Sequence, residues 1–198
     1  MQKRGFMDYR QQLRDYLNLE MEMIRTLDLD AVNQVMNVLE EARLSRRHIF
    51  ICGNGGSAAT ASHFCGDFNK GISEELDVKY MFECLNDNIP TMMSVANDVG
   101  YEEIFRYPLK CKMQPGDVFI GISGSGNSAN VVNAMEYAHE NGGTTIAIVG
   151  YSGGKLKKMA DYSIHIPIDN MQISEDMHMI LDHLMMYVLH DVNTRTSN

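Results

Sequence analysis

The sequence predicts an α/β protein: a three-layer, doubly wound sandwich around a five-stranded parallel sheet, preceded by an N-terminal pair of helices. Helical periodicity fills the first 45 residues, and short apolar runs alternate with helical patterns from residue 48 onward. Glycine-rich turns directly follow two of those apolar runs. Because strands that alternate with helices pair in parallel through right-handed crossovers, this pattern favours a doubly wound sheet.

The two N-terminal helices are predicted from apolar residues that recur at helical spacing. Asp30 is the expected N-cap of the second helix. A helical pair that precedes the first strand often packs against a partner subunit, and we expect the same here. The recurring positions are Leu13, Tyr16, Leu17, Ile24 and Leu27 in the first helix, and Val32, Val35, Met36, Leu39 and Ala42 in the second.

The strands and helices after residue 45 follow from the same kind of pattern. We expect a single domain over residues 1–198, with the helical pair in 1–45, the core in 46–192 and a frayed polar tail in 193–198. The predicted strands are 48–52, 78–84, 118–122, 144–149 and 162–167, and the predicted helices lie near 90–97 and 101–110, through Val131 and Ala134, and from Ser174 to Val188.

Composition narrows the class of protein. Apolar residues make up 44% of the 198 residues and the formal net charge is −9, with no basic segment, so neither nucleic acid nor membrane is an expected partner. Residues 1–10 are polar and lack a secretory signal, and the four cysteines are widely spaced. A cytoplasmic protein with buried free thiols is therefore predicted.

Two glycine-rich loops are candidate phosphate sites. The first is Gly53-Asn54-Gly55-Gly56-Ser57, and the second is the serine loop, residues 123–128, of sequence SGSGNS. Each connects a strand to a helix, where free backbone N–H groups and hydroxyls attract an anion. Neither contains a lysine or matches a nucleotide-binding motif, so no nucleotide cofactor is expected. Each loop alone also suits a serine-capped turn, but the occurrence of two favours phosphate.

Four segments resemble the SIS (sugar isomerase) family, and within it the phosphoheptose isomerases, over nearly the whole chain. The resemblance implies interconversion of sedoheptulose 7-phosphate and D-glycero-D-manno-heptose 7-phosphate in glycan precursor synthesis, by a homotetramer whose active sites are built from neighbouring subunits. The segments are CGNGGSAATASHF (52–64), VANDVGYEEIF (95–105), GISGSGNSANVVNA (121–134) and EDMHMILDHL (175–184).

The resemblance also implies roles for individual residues. Ser123, Ser125 and Ser128 would hold the phosphate, with Gly124 beside them. The expected contacts with the sugar come from Asn54, Gly55, Gly56, Ser57, Asn97, Asp98 and Glu175.

Acid–base and metal-binding roles fall on two helices. By resemblance, His63, Asp67, Glu175 and His183 would bind zinc or another divalent ion, with Asp67 and His183 catalytic. Isomerisation needs a base that moves a proton between adjacent carbons and a group that polarises the carbonyl. Taken alone, His63 and Asp67 would be read as an exposed pair four residues apart. For His178 we expect a structural role.

The distance between two of the predicted metal ligands on the last helix is large for a single ion. Eight helical residues span about 12 Å, so Glu175 and His183 meet at one ion only by reaching toward each other. Otherwise one of them serves a neighbouring subunit.

Five departures from the family pattern indicate a variant pocket. The leading hypothesis is the isomerase. The alternative is a non-catalytic protein of the same fold, either a sugar-phosphate sensor or a scaffold of the type that associates with a replication initiator. The departures are Asp67 for glutamate, Gly71 for arginine, Gly124 for threonine, Gln172 for aspartate and Glu175 for glutamine.

Overall fold

Five parallel strands form one sheet in the order β2-β1-β3-β4-β5 in this computed structural model. It describes residues 7–196, the last three by their backbone alone. Every residue of the central strand β3 is buried. The predicted fold class is therefore confirmed. The strands are β1 (Ile49–Cys52), β2 (Phe82–Cys84), β3 (Val118–Ser123), β4 (Thr144–Val149) and β5 (Tyr162–His165).

Helices cover both faces of the sheet. Side chains alternate along each strand, so Ile51 and Ile120 point into one apolar layer while Phe50 and Phe119 point into the other. This gives the predicted three layers. The helices are α1 (Arg10–Arg25), α2 (Leu29–Leu44), α3 (Gly56–Gly66), α4 (Ile89–Asp98), α5 (Arg106–Lys112), α6 (Ala129–Glu140), α7 (Gly154–Met159) and α8 (Met171–Thr196).

Several helix boundaries differ from the predictions. The N-cap of α2 is Asp28, whose carboxylate accepts a hydrogen bond from the backbone N–H of Ala31 at 3.0 Å, and not Asp30. Helix α8 continues to Thr196, so the predicted tail begins later than residue 193. Residues 1–6 of the predicted helical pair and residues 197–198 of the tail lie outside the described range.

Helix α1 carries an apolar stripe that the rest of the described chain leaves uncovered. Leu13, Leu17, Met21 and Ile24 are 61%, 58%, 44% and 47% exposed, and no residue of α1 is buried. The helix contacts α8, where the Tyr16 hydroxyl donates a hydrogen bond to Asp176.

The described residues include no helix that is both long enough and apolar enough to cross a membrane. The four cysteines are free, as predicted, but only Cys52 and Cys84 are fully buried, and Cys111 is exposed.

Candidate active site

Both glycine-rich loops lie at the carboxyl edge of the sheet. β1 and β3 are neighbours in register, with Cys52 paired to Gly121, so the loops that follow them leave the sheet side by side. Ligands of doubly wound sheets bind at this edge. A cavity of about 870 Å³ opens instead beside Val118, Thr144 and Tyr162, at the opposite edge of the sheet. Cavity size alone would therefore miss the predicted site residues.

The first loop is held by backbone and amide contacts. Asn86 accepts a hydrogen bond from the Gly53 N–H at 3.2 Å and donates one to the Gly53 carbonyl at 2.9 Å. Gly55 has φ +56°, a conformation that glycine adopts without strain. Ser57 is 4% exposed, and a β-carbon built on Gly53 would lie 2.6 Å from it. Ser57 is thus packed beneath the loop.

Asn54 belongs to a network that sequence reasoning missed. Its side chain exchanges two hydrogen bonds of 2.9 Å with the buried Asn130, and its Oδ1 also accepts one from the Tyr101 hydroxyl at 3.0 Å. Oδ1 therefore has two donors, while the amide nitrogen of Asn54 keeps one N–H for a ligand. Tyr101 and Asn54 line a cavity of about 290 Å³. No short-range pattern in the sequence identifies these partners.

The serine loop forms a cluster of hydroxyls at the N-terminus of α6. Ser123 Oγ lies 3.2 Å from Ser128 Oγ and accepts a hydrogen bond from the Gly126 N–H at 3.2 Å. Ser125 Oγ accepts one from the Asn127 N–H, also at 3.2 Å. The Ser128 hydroxyl makes no capping hydrogen bond to α6. Hydroxyls beside free helix N–H groups suit an anion such as phosphate.

The chain from the end of β4 into the first turn of α7 supports the backbone of the serine loop. The Gly150 N–H donates to the Gly124 carbonyl at 2.9 Å, and the Leu156 N–H donates to the Gly126 carbonyl at 3.0 Å. A β-carbon on Gly126 would lie 2.0 Å from the Gly153 carbonyl oxygen, so the two backbones touch. This contact needs glycine at position 126 and fixes the loop's position.

His63, Asp67 and His183 come together from α3, the π-helical segment Asp67–Ile72 that follows it, and α8. Their ligand atoms lie within 4.8 Å of one another. His63 Nε2 is 3.0 Å from His183 Nε2 and 3.6 Å from Asp67 Oδ2. Two imidazoles and a carboxylate are a donor set that zinc and similar divalent ions accept, so these side chains fit a metal.

Glu175 lies elsewhere. A β-carbon built on Gly56 would come within 2.3 Å of Glu175 Oε2, so this carboxylate rests on the first turn of α3. A carboxylate is favourable at a helix N-terminus, and it repels other anions from it. Glu175 is not in the group formed by His63, Asp67 and His183. Of the two candidate phosphate loops, the serine loop is therefore the better anion site.

Two buried groups on α8 lie close to this group in sequence. Burial lowers the pKa of His178 to about 4, which the Val149 backbone opposes only in part. Burial also raises the pKa of Asp182 to about 8, with a further contribution from the Asp67 carboxylate. Neither side chain makes a hydrogen bond of ordinary geometry with a described residue, and the Val149 backbone is only a weak partner of His178. Both therefore favour their neutral forms near pH 7.

Asn97 and Asp98 lie at the end of α4. The Asn97 side-chain amide donates to Asp98 Oδ1 at 2.7 Å in an exposed position. Within the described residues, no hydrogen bond joins this pair to the serine loop or to His63. The sugar-binding role of Asn97 and Asp98 stays a prediction; their helix lines the cavity beside Asn54 through Met93 and Ala96.

The fold and this site define a SIS-domain protein. The sequence matches the SIS domain family over residues 9–150, and the chain belongs to that family. It is 36% identical over 163 residues to a Helicobacter pylori phosphoheptose isomerase, covering 79% of this chain and 81% of that protein. A Rhodospirillum rubrum phosphoheptose isomerase is 33% identical over 168 residues, 81% of this chain and 85% of its own.

Solved structures agree with this assignment. The structure of phosphoheptose isomerase from Neisseria gonorrhoeae superimposes with a TM-score of 0.85 at 25% identity, covering 93% of this chain and all of the other. The predicted resemblance to phosphoheptose isomerases is therefore confirmed.

Proposed function

We propose that this protein is an aldose–ketose isomerase that interconverts sedoheptulose 7-phosphate and D-glycero-D-manno-heptose 7-phosphate. The observation that carries the proposal is that one chain holds both a hydroxyl-rich anion site, at the carboxyl edge of the sheet, and a group of acid–base residues where α3 and α8 pack together. The serine loop would bind the phosphate, and His63, Asp67 and His183 would act at the other end of the sugar. The relatives named phosphoheptose isomerase support the same substrate.

The proton transfer needs a base and a partner acid. Asp67 would take the proton from the carbon next to the carbonyl and return it to the neighbouring carbon, while His183 would move the proton between the two oxygens. Asp67 is partly buried, with 22% of its side chain exposed, which limits competing hydration by water. The amide N–H that Asn54 leaves free is a candidate donor to a sugar hydroxyl.

Zinc or another divalent ion is proposed as the cofactor. His63, Asp67 and His183 would hold it, and Glu175 would join them only if its side chain left Gly56. Such an ion would polarise the carbonyl and stabilise the enediolate.

We also propose a homo-oligomer, a tetramer by family resemblance, in the cytoplasm. The uncovered stripe on α1 supports an interface, since Leu13, Leu17, Met21 and Ile24 form one apolar face. Covering that stripe with a second subunit would remove it from water.

The test is proton NMR in heavy water with sedoheptulose 7-phosphate, with and without zinc. We expect the aldose product to form with solvent deuterium incorporated. Asp67→Asn and His183→Ala should lose turnover but still bind phosphate. Glu140→Gln is the control, because this exposed carboxylate lies at the far end of α6. Full turnover in both site variants would overturn the mechanism.

A sugar-phosphate sensor without turnover is the second candidate. It is favoured by the position of Glu175, which stands apart from the three clustered side chains. Ligand-dependent changes in the protein spectrum without deuterium exchange would support it. A scaffold that binds a replication initiator is less favoured, because it has no need for the group of His63, Asp67 and His183.

A further inference from the structure

Tyr151 has an unusual backbone. Its φ is +46°, and Arg46, at +54°, is the other non-glycine residue with positive φ in the described range 7–196. Side chains with a β-carbon rarely adopt this left-handed region, because the β-carbon approaches the following carbonyl oxygen. Such strain persists only when surrounding contacts hold it, and it is frequent at ligand sites.

Two hydrogen bonds hold this conformation. The Tyr151 N–H donates to the Ile168 carbonyl at 3.2 Å. His165 Nε2 donates to the Tyr151 carbonyl at 2.8 Å, and the other ring nitrogen of His165 accepts from the Lys157 ammonium at 2.9 Å. The Lys157 contact leaves the proton of a neutral His165 on Nε2. The backbone of Tyr151 is therefore fixed from both sides.

The ring of Tyr151 lies beside the serine loop. A β-carbon built on Gly124 would be 3.8 Å from Tyr151 Cε2, the ring carbon next to the one that carries the hydroxyl. Gly124 has no side chain, so the ring edge faces the loop backbone directly. The side chain is half-buried, and no described residue forms a hydrogen bond with the phenol hydroxyl. The phenol hydroxyl thus has a donor that no described residue uses, on a ring whose edge lies beside Gly124 of the serine loop.

We propose that Tyr151 is a further substrate-binding residue, whose phenol O–H donates a hydrogen bond to the phosphate group seated on the serine loop. The inference deepens the proposed function and rests on its phosphate site. The strained backbone is retained because it directs the ring toward Gly124. Since the segment that carries Tyr151 also supports the serine loop, the donor and the hydroxyls keep a fixed spacing.

Three variants test this inference. Tyr151→Phe removes the hydroxyl and keeps the ring. Tyr151→Gly removes both and relieves the backbone, because glycine adopts positive φ freely. Arg46→Gly is the matched control: it gives the same relief at an exposed turn before β1, away from the serine loop. Calorimetric titration with sedoheptulose 7-phosphate and with inorganic phosphate gives the dissociation constants, and thermal melting reports the fold.

Tyr151→Phe should weaken both ligands about 10-fold, the loss expected for one hydrogen bond to a charged group. Tyr151→Gly should weaken them at least as much, with a melting temperature within about 4 °C of wild type, since relieved strain offsets lost ring contacts. Arg46→Gly should bind as wild type does. Wild-type affinity in Tyr151→Phe would overturn the proposal, whatever Tyr151→Gly does.

The same titrations separate this inference from the proposed function. A wild-type protein that binds both ligands but shows no deuterium exchange would refute the isomerase activity. The binding constants of the Tyr151 variants would then still decide whether Tyr151 binds the phosphate. A wild-type protein that binds neither ligand would refute the phosphate site and Tyr151's role together. If Tyr151→Gly unfolds, Tyr151→Phe still decides, because it keeps the ring and the backbone.

Discussion

The Nε2 atoms of His63 and His183 lie 3.0 Å apart, although 120 residues separate them in the sequence. The two rings meet at 74°. At this distance one ring nitrogen donates a hydrogen bond to the other, or both face a common cation. Together with the Asp67 carboxylate, the two imidazoles offer three ligand atoms that suit a divalent ion.

Metal binding is expected to depend on the histidines and not on Glu175. After removal of metal by a chelator, His63→Ala and His183→Ala should lose more than the roughly 10-fold in zinc affinity that loss of an outer-shell partner typically costs, because each removes a direct ligand. Glu175→Gln should stay close to wild type, because its carboxylate lies on Gly56. Calorimetric titration with zinc measures each affinity. An equal loss in Glu175→Gln would mean that this side chain moves into the group when the ion binds.

Ser128 and Asp28 should separate ligand binding from helix capping. The Ser128 hydroxyl makes no capping bond to α6, so Ser128→Ala should cost under about 1 kcal/mol of stability yet weaken phosphate binding about 10-fold. Asp28 does cap α2, so Asp28→Ala should cost about 1 kcal/mol and leave phosphate binding unchanged. Urea denaturation and calorimetry measure the two quantities. Unchanged phosphate affinity in Ser128→Ala would contradict the assignment of the serine loop.

His178 should lower stability as pH falls, whereas the raised pKa of Asp182 acts in the opposite direction over the same range, so the contribution of His178 is the difference between wild type and a His178 variant. Burial lowers the pKa of His178 from 6.5 to about 4, so the folded ring stays neutral where the unfolded chain takes up a proton. The associated stability is present above pH 6.5 and is lost as pH falls from 6.5 to 4, by about 3 kcal/mol. His178→Leu should reduce this dependence, because it removes the buried titrating ring.

The measurement is urea denaturation of both proteins at several pH values between 4 and 7. His48→Gln, at an exposed position before β1, is the control and should keep the wild-type dependence. A His178→Leu variant whose stability changes between pH 7 and 4 by the same amount as that of wild type would show that His178 makes no such contribution.

The strands and the main helices could be predicted because each depends on local apolar spacing. Residues 144–149 form β4 as expected. The family resemblance predicted that His63, Asp67 and His183 share one site, and their ligand atoms do lie close together. Other features depend on contacts between distant segments. Glu175 rests on Gly56 because α8 packs on α3, and Asn54 pairs with Asn130 across two loops. The positive φ of Tyr151 could not be predicted either, because the usual sequence signal for positive φ is glycine and this position holds tyrosine.

The adjacency of β1 and β3 has a consequence for how the protein folds. Their loops form the candidate site together, yet α3, β2, α4 and α5 lie between these strands in the chain. Pairing across such a separation requires closing a long loop before any contact is gained, which slows formation. Because the serine loop follows β3 in the chain, a ribosome-bound chain that ends before β3 also lacks the serine loop. Recovery of phosphate affinity during refolding should follow completion of the central sheet and not the earlier appearance of helices.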